Sequence, residues 1–312
     1  MLPVDVLAVT DPLAWVLVAL FGGGALLERR RPAAARYVVG AAWALFAVFW
    51  LLLAPFFFLV QNSIVEAALA LAGVPACLYA GSLLVRGRDS LFVLSRAVAV
   101  MGAIYLPATT LAFIYEPLIR TVFVQTRWFI ELLGYSPQVV ESELGIQNVF
   151  LFVRPNGHRI LSQIELACTG IGSMAIFAGL IAAVDAPLDR KAKAFLVSIP
   201  VIWALNLVRN IFIAIAFGEQ WFQLFVPQVL ALFGQSDPYY VSFLVADKIL
   251  SQSASVVALV AIMLATLRYL PELKTVIVDL LYLVTGDEHE FDFGDPPGRG
   301  GVRADGGQPD EE

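Results

Sequence analysis

Residues 38–60 read VVGAAWALFAVFWLLLAPFFFLV, 23 residues without a charged side chain. About 20 such residues cross the ~30 Å of bilayer hydrocarbon as an α-helix, which satisfies its own backbone hydrogen bonds where no water can. The pattern recurs on either side. Apolar runs at 12–27, 64–85, 92–115, 164–184, 194–217 and 239–266 bring the expected spans to seven. The expected fold is an all-α polytopic membrane protein, with eight spans if 275–284 (TVIVDLLYLV) also crosses. That segment is short and holds Asp279, so 271–284 is placed as an interfacial helix. Composition agrees: 59% of the 312 residues are hydrophobic and 15% charged, against about 25% charged in soluble domains.

Several function classes drop out. A net charge of -6 without a basic patch excludes nucleic acid as the main partner. Two cysteines, Cys77 and Cys168, each in an apolar stretch, exclude a disulfide framework. Two histidines and no HExxH leave no case for a metal centre, and no cofactor is called for. There is no GxSxG elbow and no pair of intramembrane aspartates, so the thiol is the credible nucleophile.

Orientation follows from the basic residues. Threading seven helices alternately puts Arg29, Arg30, Arg31, Arg36, Arg86, Arg88, Arg96, Arg190, Lys191, Lys193, Arg268 and Lys274 on one side. The other side holds Arg120, Arg127, Arg154 and Arg159. The expected N-terminus is outside. Asp5 and Asp11, with no basic residue before the first span, mark that span as a retained helix rather than a cleaved signal peptide. Residues 285–312 carry nine acids and two arginines among Gly and Pro, and read as a disordered, solvated cytoplasmic tail. The chain divides into N-terminal helices (1–90), a core (91–270), the interfacial helix and the tail. Two large outer loops fall in the core, at 116–163 and 218–238. Within the first, QNVFLFV (147–153) has strand-like composition and is followed by a turn signal at Arg154–His158.

An ionisable group in hydrocarbon is a functional-site hypothesis. Arg209, in Asn206-Leu-Val-Arg-Asn210, and Lys248, in Ala246-Asp-Lys-Ile-Leu-Ser-Gln252, interrupt apolar spans. Cys168 lies in Glu165-Leu-Ala-Cys-Thr-Gly-Ile-Gly-Ser173. At ~1.5 Å per residue the topology sets Cys168, Arg209 and Lys248 roughly 6, 12 and 13 Å below the outer surface. A thiol near two cations becomes a better nucleophile, and a fixed cation stabilises an acyl-transfer oxyanion. Plainer readings stand beside these. Cys168 is then a packing residue, and Ala167, Gly170, Gly172 and Ser173 let helices approach closely. Asn206, Arg209 and Asn210, on one helix face, form a structural clamp, and Lys248 snorkels. Glu165, one turn from Cys168, either orients a partner or marks the interface. His158 is a candidate base or a solvated loop histidine.

Ala-Cys-Thr-Gly-Ile-Gly-Ser (167–173), followed about forty residues later by Asn-Leu-Val-Arg-Asn (206–210), resembles the exosortase/archaeosortase family, its haloarchaeal archaeosortase branch most of all. The likeness covers roughly 90–270. It implies an integral-membrane cysteine transpeptidase acting on exported proteins with a C-terminal tripartite signal: a short motif of Pro-Gly-Phe type, a hydrophobic helix and a basic cluster. The S-layer glycoprotein is a typical client. The signal is cleaved through a thioester, and the new C-terminus is joined to a membrane phospholipid, of ethanolamine type by expectation. By motif match, Cys168 takes the nucleophile's place and Arg209 that of the first cation. The third position, His or Arg in the family, falls by spacing on Lys248, which keeps the charge but lacks the planar fork of Arg. The implied site faces the outside of the cell membrane. Two rivals remain: an intramembrane cysteine protease, in which water resolves the thioester, and a non-enzymatic anion transporter or assembly scaffold.

Overall fold

The computed structural model describes residues 3–60, 64–143 and 145–287. The acidic segment from 288 onward, most of the expected tail, lies outside them. Among the described residues, six helices are long and apolar enough to cross a membrane. They include α1 (Pro3–Glu28), α2 (Pro32–Leu59), α3 (Ile64–Val85) and α4 (Leu91–Thr110). The other two are α7 (Leu188–Gly218) and α9 (Pro238–Leu267).

The remaining expected span, 164–184, takes another form. A 3-10 turn (Leu166–Thr169) leads through Gly170 at φ 73° into α6 (Ile171–Ala183), whose 13 residues extend about 20 Å. A left-handed residue cannot continue a helix, and glycine adopts that conformation without a Cβ penalty. Composition alone could not divide this apolar run.

Helices α1–α4 form the first packing unit. Helix α2 lies on α1 and α3, and α1 on α4. Leu17, Phe21, Val39, Trp43, Leu84 and Leu91 fill the centre. Lipid tails are as apolar as leucine, so close backbone fit must supply much of the association. It does so at Gly81, where a Cβ would stand 2.9 Å from the Gly40 carbonyl oxygen. A polar bridge crosses this core from α2 to α4: Trp43 Nε1 donates to Ser95 Oγ at 2.9 Å.

The fourth span ends at Thr110 rather than 115, and the expected outer loop 116–163 is largely ordered. Pro107 and Pro117 bracket an extended Leu111, each removing a helical N–H. Helix α5 (Ala112–Leu132) follows, burying Ile119, Val122, Phe123, Thr126 and Ile130 on one amphipathic face. Then come β1 (Gln138–Glu141), β2 (Gln147–Val153) and β3 (Arg159–Gln163), an antiparallel sheet in that order. The strand reading of 147–153 holds, and the expected turn is formed by Arg154 N–H donating to the His158 carbonyl, with Gly157 at φ 80°. The Phe150 ring stacks on Phe123 of α5 at 4.4 Å. The second outer segment contains α8 (Val226–Phe233), which has no buried residue.

Helix α10 (Leu273–Thr285) packs on α3 and α4. Arg88 Nε donates to the buried Asp279 at 2.9 Å, and its guanidinium covers the Tyr282 ring. Arg36 pairs with Asp89, Arg96 with Asp185 and Arg190 with Glu272. These pairs gather helix ends at one end of the bundle. The sheet lies near the far end of α7, where Arg154 bonds Glu219 at 2.7 Å.

Candidate active site

The sheet delivers the chain to the site. Asn148 of β2 is buried and its Nδ2 donates to the Ile164 carbonyl at 2.8 Å, fixing the exit from β3. Cys168 N–H donates back to Glu165 O at 2.9 Å, and Thr169 Oγ1 to Leu166 O at 2.7 Å, closing the 3-10 turn. The Cys168 carbonyl is then captured twice from α7, by Asn206 Nδ2 at 2.6 Å and Asn210 Nδ2 at 2.7 Å. Both amides come from one helix face, one turn apart. Gly170 makes the approach feasible: a Cβ there would stand 3.0 Å from Asn206 Cγ, the carbon bearing the amide nitrogen committed to that hydrogen bond.

Arg209, on the same stretch of α7, donates to Asp247 Oδ1, and Lys248 Nζ lies 3.5 Å from Asp247 Oδ2. Asp247 is buried. A partly buried carboxylate and cation are tolerable when each satisfies the other, and costly when one is removed. The two cations therefore share one counter-charge.

A break in helical regularity puts Asp247 and Lys248 side by side. Residues Leu244–Ser251 of α9 form a π-helical stretch, whose wider turn holds one extra residue. Tyr240, Phe243 and Asp247 follow one stripe into the cavity, while Lys248, Gln252, Ser255, Leu259 and Ile262 continue a second. In an unbroken α-helix, neighbours in sequence point about 100° apart. The extra residue lets both stripes face the same space.

That space is a cavity of about 1170 Å³. It brings together Cys168, Arg209, Lys248, Asn206, Asn210, Glu165 and Ser173, seven of the eight residues singled out in the sequence. One end is acidic, with Glu141, Glu143 and Glu165, and the other apolar, with Ile202, Leu205, Leu259 and Ile262. His158 is not in the lining. It sits in the β2–β3 turn with its ring stacked on Tyr239 at 3.6 Å. Cys77 is buried in the α1–α4 core. Sequence reasoning missed Asp247, Tyr105, Gln252 and Ser255, all in the lining. The signal for Asp247 was its place next to Lys248 in an apolar run. Gln252 and Ser255 were signalled by their offsets of four and seven residues from Lys248.

The arrangement can hold a thiol beside a cation-rich wall, with the thiol's own peptide fixed by two side chains. Such geometry suits attack on a carbonyl and stabilisation of the charge that develops.

Comparison with known proteins agrees in kind and extends well before residue 90, where the expected likeness began. The profile of the family described as "Transmembrane exosortase" matches residues 10–235. Archaeosortase A of Haloferax volcanii is 52% identical over 292 residues, covering 90% of this chain and 96% of that protein. Archaeosortase A of Natronomonas pharaonis is 45% identical over 287 residues, covering 89% and 90%. No solved structure matches the chain. The profile stops short of Asp247 and Lys248, which the span shared with the two relatives reaches in length. With relatives about half identical across nine tenths of its length, the chain belongs to the transmembrane exosortase family.

Proposed function

We propose that this protein is a multi-pass cysteine transpeptidase of the cell membrane that removes C-terminal sorting signals from exported proteins and joins the new C-terminus to a lipid. The observation that carries this reading is the shared cavity. Cys168, Arg209 and Lys248 come from three separate segments and line one space, with the Cys168 carbonyl held by Asn206 and Asn210. The archaeosortase A relatives supply the substrate class, and the client motif is then of Pro-Gly-Phe type.

The chemistry follows from the groups present. The Cys168 sulfur, deprotonated, attacks the scissile carbonyl carbon. Arg209 steadies the oxyanion of the tetrahedral intermediate. The C–N bond breaks, the departing amine takes a proton, and the client is left as a thioester on Cys168. The amine of a phospholipid head group, ethanolamine being the fitting type, then attacks the thioester. An amide forms, the thiolate leaves and the added proton returns to solvent. Lys248 contributes positive charge, part of which its Asp247 neighbour offsets. Because His158 lies outside the lining, the base role is not assigned to it.

The cavity faces outward in this reading. The ion pairs of Arg36, Arg88, Arg96 and Arg190 gather at the opposite end of the bundle, the cytoplasmic one by the rule that positive loops stay inside. The N-terminus is then outside and the acidic tail inside, with α10 at the inner interface.

Mass spectrometry of a client's C-terminus tests the reading. Parent protein should yield a shortened, lipid-bearing C-terminus, and Cys168→Ala the intact signal at an unchanged level of membrane-inserted protein. Full processing by Cys168→Ala would overturn the mechanism. A shortened C-terminus ending in a free carboxylate would make the protein a protease. An intact signal with the parent protein would favour the transporter or scaffold.

A further inference from the structure

We propose that Asp247 is a positioning residue for the reaction at Cys168, clamping Arg209 and Lys248 into one unit across the boundary between α7 and α9. The inference rests on reading Cys168 and Arg209 as the reacting machinery.

Three observations carry it. First, connectivity: one face of α7 holds the Cys168 carbonyl through Asn206 and Asn210 and presents Arg209 to Asp247. The thiol's peptide and the cation are thus referenced to the same helix, and Asp247 is what fixes the free end of Arg209. Second, stoichiometry: two cations and one carboxylate leave one net positive charge in the cluster. That matches the single negative charge of a thiolate or a tetrahedral oxyanion. Arg209 and Asp247 line the same cavity as Cys168. Third, economy: a guanidinium has five N–H donors, and the bond to Asp247 uses one. The rest of the fork remains for a substrate carbonyl, while the carboxylate removes the side chain's freedom to swing away.

A purely structural pair explains less. In an apolar setting, well-packed hydrophobic residues do as well as an ion pair or better. This cluster also keeps exposure to the cavity, with Arg209 27% and Lys248 36% accessible. Asp247 and Lys248 both line that space from within the π-helical stretch.

The test uses the full-length protein in membranes, comparing the parent with Asp247→Asn, Asp247→Glu and Cys168→Ala. Client processing gives kcat and KM, and peptide mapping gives the rate of Cys168 alkylation by iodoacetamide at neutral pH. Asp247→Asn should lower kcat by about 10- to 100-fold, the range for losing a charged hydrogen bond. KM should move less than about threefold by the same argument, since the loss falls on the transition state. Asp247→Glu, which keeps the carboxylate, should recover most of the rate. Alkylation of Cys168 should speed up in Asp247→Asn, because one negative charge then leaves the cavity that the thiol shares with Arg209 and Lys248. Processing by Asp247→Asn at the parent rate overturns the proposal. So does equal loss in Asp247→Asn and Asp247→Glu with lowered melting temperatures in both, which marks a structural role. Should Cys168→Ala process normally, the functional reading fails by itself. The alkylation rate then decides the proposal: a faster rate in Asp247→Asn upholds the coupling, and an unchanged one refutes it.

Discussion

Between α2 and α3 the backbones nearly touch, Gly81 against the carbonyl of Gly40. Between α7 and α9 lies a cavity, bridged by Arg209, Asp247 and Lys248. Both helix pairs are drawn from equally apolar runs. In the first, small residues let helices pack on main-chain fit, and the buried Trp43–Ser95 hydrogen bond runs from α2 to α4 rather than to α3. In the second, close packing gives way to room, and charged and amide groups hold the helices in register. A membrane supplies little drive for helices to associate beyond packing and polar bonds. Where one is relaxed the other must increase. Close backbone packing therefore marks α1–α4, and the candidate site lies in the half that follows.

The largest effect that would sharpen this contrast is at Gly170. Gly170→Val places a β-branched residue at φ 73° and drives its Cβ toward Asn206. Client processing should fall about 100-fold, in line with strain of a few kcal/mol at one residue. The melting temperature should fall by only the several degrees that this strain costs, while the aim of Cys168 is lost. A large melting shift with processing intact would erase the contrast. Next is Gly81→Leu, which forces a side chain against backbone. It should lower stability by about 1–3 kcal/mol, the usual cost of overpacking. Thermal melting in detergent reads that cost, and Cys168 alkylation at temperatures below the melt should match the parent. The smallest effect is expected at His158, whose ring lies on Tyr239 away from the lining. His158→Ala should alter the processing rate less than twofold. A hundredfold loss there would mean that the turn between β2 and β3 reaches the reacting groups.

The contrast also governs what the sequence could reveal. In α1–α4 each helix is a long apolar run, and hydropathy located all of them, though it carried the fourth five residues too far. In the second half, apolar composition hid structure instead. Residues 164–184 looked like a span, yet the left-handed Gly170 and the Asn pair divide them, and no hydropathy average detects a hydrogen bond from 38 or 42 residues away. Helix α5 was legible in principle. Ile119, Val122, Phe123, Thr126 and Ile130 keep helical spacing, but Glu116, Arg120, Arg127 and Glu131 made the stretch look like loop. The site residues were found because charge in an apolar run is conspicuous. Asp247 was passed over because next to Lys248 it looked like a local pair, and its partner on α7 is set by tertiary geometry.

The π-helical stretch at Leu244–Ser251 also has a consequence for inheritance. It amounts to a one-residue insertion in an otherwise regular helix. A chain that lost that residue would still fold a helix there, but the stripes on either side of the stretch would be turned relative to one another. Alignment of this helix with a regular one requires a gap within these eight positions. Counted without it, residues beyond the stretch shift by one position, about 100° around the axis, and an apparent substitution at Asp247 or Lys248 would be a change of phase.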